Sequence, residues 1–148
     1  MTTLAYDYTQ ELSIGAMRQM VNPQKVDLIS YATMAQRFIS AGGISVNVGT
    51  AQAPILAEAS TDPASLVLLQ GAYSMAANPN ASFQWVQSSG APMTLTSAQI
   101  ITIFTTVAAF LQSTFTTLAA VIAAISAGAI TTTAQVDSFA SPAWPANS

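Results

Sequence analysis

Cysteine and histidine are both missing from the 148 residues, and charge is nearly so, at 6% of the chain. Without thiolates or imidazoles, cysteine nucleophiles, imidazole acid–base chemistry and nearly every transition-metal site drop out together. A disulfide framework drops out too, which leaves the redox compartment open. The charge deficit is the stronger signal, since ordinary soluble proteins carry roughly 25% charged residues. Arg18, Lys25 and Arg37 are the only cations, against six acids, for a net charge of −3. Such a chain repels phosphate backbones and has no basic patch, so no nucleic-acid partner is expected. Gly42-Gly43 and Gly49 fit neither nucleotide-binding glycine spacing. Glu58 and Asp62 straddle a helix start, where Asp62 reads as a cap, and Asp7 and Glu11 have no partner base. Asp7, Asp27, Asp62 and Asp137 are too dispersed for an oxygen-ligand calcium site. Many serines are present, with no histidine to activate one. No catalytic, cofactor-binding or metal-binding residue is therefore expected, and the chain does not read as an enzyme.

What is there is hydrophobic, 51% of the chain, and the surface must be built from Thr, Ser, Gln, Asn and Ala. That surface suits a protein packed in an assembly, where charges would cost desolvation. The alternative is a monomer with a Thr- and Ser-rich exterior. Ile100 to Ile125 carries no charge and meets the length of about 20 residues for a membrane span. Thr102, Thr105, Thr106, Gln112, Ser113, Thr114, Thr116 and Thr117 interrupt it, and no Lys or Arg flanks it, so no membrane partner is expected. The opening MTTLAYDYTQEL has neither a basic n-region nor an apolar h-region, so no signal peptide is expected.

Residues 1–21 read as an N-terminal arm and 22–148 as a single mainly helical domain. In the arm, Leu4, Tyr6 and Tyr8 alternate with small or polar residues, a period of two. These are candidate contacts of a strand that adds to a partner, or else a terminus packed on its own domain. Asn22-Pro23 predicts a helix start. Leu28, Tyr31, Ala35 and Phe38 form its stripe, with Val26, Ile29 and Ile39 beside it, and Gly42-Gly43 ends it. Ile44, Val46 and Val48 alternate as a short strand, and a second is expected around Ile55–Ala57. Thr61-Asp62-Pro63 opens a helix with Leu66, Leu69, Tyr73 and Ala76 on its buried side. Phe83 and Trp85, then Met93 and Leu95, bracket Ser88-Ser89-Gly90 as a hairpin.

A long helix is predicted over about 97–127, opened by the capping-box spacing of Thr96 and Gln99. Phe104, Leu111, Leu118 and Ile125 fall seven apart, with Val107 and Val121 as the second seam position and Thr114 a polar gap in it. Ile101, Ala108, Phe115 and Ile122 widen the seam. The candidate assembly or packing face is Phe104, Val107, Leu111, Phe115, Leu118, Ile122 and Ile125. Gly128 ends the helix, and Thr132 with Gln135 caps a short one carrying Val136 and Phe139, so the two fold back as a hairpin. The fold class is α+β, mainly helical, with a few short strands and this C-terminal long-helix hairpin. Trp85 and Trp144 could stack sugars, though a Trp in a hairpin or at a helix end more often packs internally.

The ordered set of motifs carries a resemblance. It comprises the early helix with Arg37, the strand passage from Gly42 to Thr50, and Thr61-Asp62-Pro63-Ala64-Ser65-Leu66. Phe83-Gln84-Trp85-Val86, Gly90, Met93-Thr94-Leu95-Thr96 with the long helix, and Trp144-Pro145 follow. Over about residues 22–146 it resembles a family of uncharacterised domains found in phage tail and tail-fibre proteins. The resemblance implies a virion structural protein, assembled in the host cytoplasm and tail- or fibre-associated. Its partners would be other tail or fibre subunits and copies of itself, with an unknown host receptor. A tail-fibre assembly chaperone is the alternative, and a small membrane protein a further one. The family has no agreed activity and implies no catalytic residues. This chain departs from it in carrying Ala and Thr along the long helix where members carry Lys, Arg and Glu, which favours an embedded helix.

Overall fold

The computed structural model describes residues 14–147. Leu4, Tyr6 and Tyr8 of the expected arm lie outside the described residues. Nine elements follow in order: α1 (Ile14–Arg18), α2 (Lys25–Ser40), β1 (Ile44–Asn47), β2 (Leu56–Ala59), α3 (Pro63–Met75), β3 (Ser82–Val86), β4 (Pro92–Thr96), α4 (Ser97–Ser126) and α5 (Thr133–Asp137). The class is mainly helical α+β with two small antiparallel hairpins, as the periodicities predict.

Local chemistry accounts for most of the boundaries. Asp62 caps α3, its carboxylate accepting from the Ser65 backbone N–H at 3.0 Å, with Pro63 in the first helical position. Thr96 and Gln99 form the expected reciprocal box at α4: the Gln99 N–H donates to the Thr96 hydroxyl, and the Thr96 N–H to Gln99 Oε1. Thr132 and Gln135 do the same at α5. The start of α2 differs from expectation. Asn22 sits at φ 52°, in the left-handed region, so Asn22-Pro23 is a turn outside the helix. The helix begins at Lys25, where the Gln24 N–H donates to Asp27 Oδ2 at 2.8 Å. The acid three residues along, not the Asn, satisfies the first free amide.

The described residues fall into two compact units, one of residues 14–39 and 112–145, the other of 40–111 with 146 and 147. In the first, Met17, Leu28, Tyr31, Ala32, Val121, Ile125, Ile130 and Val136 form one buried cluster. Val121 and Ile125 come from the last turns of α4, and Val136 from α5, so the predicted helical hairpin closes on shared core residues. Trp144 and Phe139 pack half-buried against the same cluster.

In the second unit, β1 and β2 pair with Ile44 opposite Ala59 and Val46 opposite Ala57, placing all four side chains inward. β3 and β4 pair with Phe83 opposite Leu95 and Trp85 opposite Met93. Gly43, at φ 79°, makes the bend into β1, and a Cβ there would lie 3.0 Å from the Ala59 carbonyl oxygen.

Candidate assembly faces

α4 is the element on which a site was expected. After Ser97 at its start, its buried positions run Ile100, Ile103, Val107, Phe110, Thr114, Thr117, Val121 and Ile125. The lines seven apart are therefore Ile100–Val107–Thr114–Val121 and Ile103–Phe110–Thr117. Of the expected face, Val107 and Ile125 are buried in the chain's own core. Phe104, Leu111, Leu118 and Ile122 flank the buried stripe half-exposed, and Phe115 is 54% exposed. The stripe admits two threonines because each hydroxyl has a partner. Gln36 Nε2 donates to Thr114 Oγ1 at 2.9 Å, and Thr117 Oγ1 donates to the Ala143 carbonyl at 3.1 Å. A paired buried hydroxyl costs little, so packing partners and not raw hydrophobicity choose the stripe. Phe104 instead stacks on Tyr73 of α3, ring centroids 4.0 Å apart.

The outward side of α4 is uncharged, and four of its threonines are satisfied within the helix. Thr102, Thr105, Thr106 and Thr116 each donate a hydroxyl to the carbonyl four residues back. By length and composition α4 could also cross a membrane.

α3 carries the most exposed apolar face. Its inward side is Leu66 and Leu69, continued by Ala76 at the C-cap, as the sequence predicts, whereas Tyr73, expected on that side, is 40% exposed. The opposite side presents Val67 (68% exposed), Leu68 (75%) and Met75 (65%), with Gly71 between them, where an added Cβ would meet nothing within 4 Å. That face was not among the expected ones, although Val67, Leu68, Gly71 and Met75 recur at three- and four-residue spacing. From Pro63 to Val136 there is no charged residue.

Besides Lys25, Asp27 and Arg37 on α2, the charged side chains among the described residues lie at two places. In the first unit, the Tyr31 hydroxyl donates to Asp137 Oδ1 at 2.6 Å and accepts from Arg18 Nε at 2.7 Å, and Arg18 Nε also reaches Asp137 Oδ2 at 3.1 Å. Burial, reinforced by Asp137, pushes the Tyr31 phenol up to about 12. The guanidinium is held further toward its charged form, first by its bond to Tyr31 and then by Asp137. The arrangement ties α1, α2 and α5 together. In the second unit, Glu58 and Asp62 are the only charged residues and line one groove of about 330 Å³, with Ser45, Ser60, Ser88 and Asn147 beside them. Both carboxylates are held below the usual range, Glu58 by Ser88 and Asp62 by Ser65. Each is thus already engaged by hydroxyl and backbone donors. Among the described residues no group of three His, Cys, Asp or Glu side chains comes together.

The indoles are likewise engaged: Trp85 Nε1 donates to the Glu58 carbonyl and Trp144 Nε1 to that of Val136, each at 2.8 Å. One protein family matches this chain, a domain of unknown function designated DUF4376, over residues 24–140. No curated protein and no solved structure matches.

Proposed function

We propose a structural, non-catalytic role for this chain, which belongs to the DUF4376 family of domains of unknown function: a subunit of a phage tail or tail fibre, held by subunit–subunit contacts. The observation that supports it is the exposed face of α3, where Val67, Leu68 and Met75 stand in water with no charge on the helix. Grouped exposed apolar residues mark interaction surfaces more often than they occur by chance on monomers. The phage setting rests on the resemblance in motif order, and the absence of His and Cys supports the non-enzymatic half.

Mass spectrometry of purified particles tests the reading, with the chain expected at fixed stoichiometry. Its absence from particles sinks the virion role. A fibre-assembly chaperone would use the same α3 face transiently, so it would be abundant in lysate and depleted from mature particles. The length of α4 favours one further reading, a membrane-bound chain, which would float with vesicles in a density gradient. Its outward threonines and Gln112 make that side more polar than the buried one, the reverse of a lipid-facing arrangement.

A further inference from the structure

β2 ends the two-stranded β1–β2 sheet, so alternate backbone groups along it point away from β1 with no strand to receive them. The turn of the other hairpin supplies the missing partners. Gln87 Nε2 donates to the Leu56 carbonyl and Gln87 Oε1 accepts from the Glu58 N–H, both at 2.8 Å. These two backbone groups flank Ala57, and a neighbouring parallel strand would place one residue's N–H and C=O against that same pair. The side-chain amide of Gln87 thus stands in for a peptide unit. Trp85 Nε1 takes the next outward group, the Glu58 carbonyl, at 2.8 Å. Ser88 fixes the turn from the other side, its N–H donating to Glu58 Oε2 at 2.6 Å. The Gln87 backbone is itself committed within its own turn, accepting from Gly90 N and donating to the Ala91 carbonyl, which leaves the side chain as the reaching part.

We infer that Gln87 and Trp85 are edge guards: they close β2 against strand addition, and opening them exposes an edge that pairs with β2 of a second copy. Exposed edges of this kind are templates for another chain, and folded proteins block them. A second copy is the fitting partner because an antiparallel register centred on Ala57 sets each Glu58 opposite Leu56 of the other copy. The two carboxylates then do not face one another, and the two-fold pairing is self-complementary. The inference is independent of which structure the chain is built into.

Amide hydrogen exchange and sedimentation velocity on the full chain test it, using Gln87→Leu and Trp85→Phe. Gln87→Leu is expected to speed exchange at the Glu58 N–H about tenfold, the factor carried by one net hydrogen bond. The β1–β2 ladder amides should stay as slow as in the parent, and concentration-dependent oligomers with added β signal in the infrared should appear. Trp85→Phe keeps a ring in place and removes only the donor to a carbonyl. It should leave Glu58 exchange unchanged while shifting association in the same direction. Unchanged Glu58 exchange in Gln87→Leu overturns the guard role. Faster exchange with no gain in self-association overturns the proposed partner, and acceleration of the whole ladder counts against a local latch.

Discussion

Replacing Tyr31 with Phe removes one oxygen from the first unit and leaves the buried ring in place. That oxygen makes two bonds, donating to Asp137 at 2.6 Å and accepting from Arg18 at 2.7 Å. Hydrogen bonds to charged groups contribute about 1.5–3 kcal/mol each, but both ionic partners here reach solvent, with side chains 55% and 35% exposed. Water replaces part of what is lost, so the two bonds together should contribute about 1.5–3 kcal/mol. For a chain of this length that lowers Tm by roughly 3–12 °C. Tyr31→Ala also forfeits the ring and should cost about 3 kcal/mol more. The pH dependence gives a second readout. The folded phenol titrates at about 12 against an ordinary 10, because burial and Asp137 favour its neutral form. Its contribution is therefore fully present below pH 10 and is lost as pH rises from 10 through 12. Thermal melts from neutral to alkaline pH should show the parent losing stability in that window faster than Tyr31→Phe. Equal melting points at pH 7, or parallel alkaline decline in the two proteins, would refute the assignment of a stabilising role to the hydroxyl.

Thr114→Val strands the Gln36 amide in the core and should cost about 1–3 kcal/mol, whereas Thr114→Val with Gln36→Leu should recover most of it, as a urea-denaturation double-mutant cycle would show. Gly43→Ala forces a Cβ against the Ala59 carbonyl at positive φ and should lower stability by about 1 kcal/mol or more in the same assay. Glu58 and Asp62 are both held low, so their contribution is present above the ordinary carboxylate range and lost as pH falls through their depressed values. Asp62→Asn should flatten that acid limb of a Tm–pH curve. Leu68→Lys on α3 should leave stability within about 0.5 kcal/mol, because the side chain is 75% exposed, yet reduce incorporation into particles scored by mass spectrometry.

The sequence made legible those features whose causes are local. The caps at Asp62, Thr96 and Thr132 need only side chains three residues apart, and all three form. The β3–β4 hairpin follows from alternation and from its turn glycine, Gly90, at φ 82°, whereas β1 and β2 were legible as short strands and not as a pair. Features decided by distant partners were not legible. Which line of α4 turns inward depends on Gln36, 78 residues away from Thr114, and on the Ala143 carbonyl. A hydrophobicity pattern places the Val107–Thr114–Val121 line inward correctly, but it prefers Phe104, Leu111 and Leu118 to the buried Ile103, Phe110 and Thr117, a line one residue away. The expected face is thus turned by less than the rotation of one residue, about 100°. At α2 the same limit shows at Phe38, which continues the apolar spacing yet is 72% exposed. The Tyr31 cluster joins residues 13 and 106 positions apart, a separation for which no spacing rule exists.

A charge-poor chain can stay in water if its polar groups remain free to bind water, and here many do not. Four threonines on the outward side of α4 donate into their own helix, and the indole and amide of Trp85 and Gln87 are spent on β2. Each such bond lowers what the group would lose on being covered, since a donor already satisfied carries little further desolvation cost. Charged residues could not be treated this way, because an ion buried without a partner costs several kcal/mol whatever its local bonds. The low charge and the self-bonded hydroxyls therefore act in one direction: they make the outside of α4 inexpensive to bury against another protein surface. The exposed apolar residues of α3 add a gain of about 25 cal/mol per Å² covered. Burial at α3 would drive association, with Phe115 of α4 adding to it, while the threonines of α4 would merely permit it, so Leu68 and Met75 should matter to assembly far more than any outward threonine.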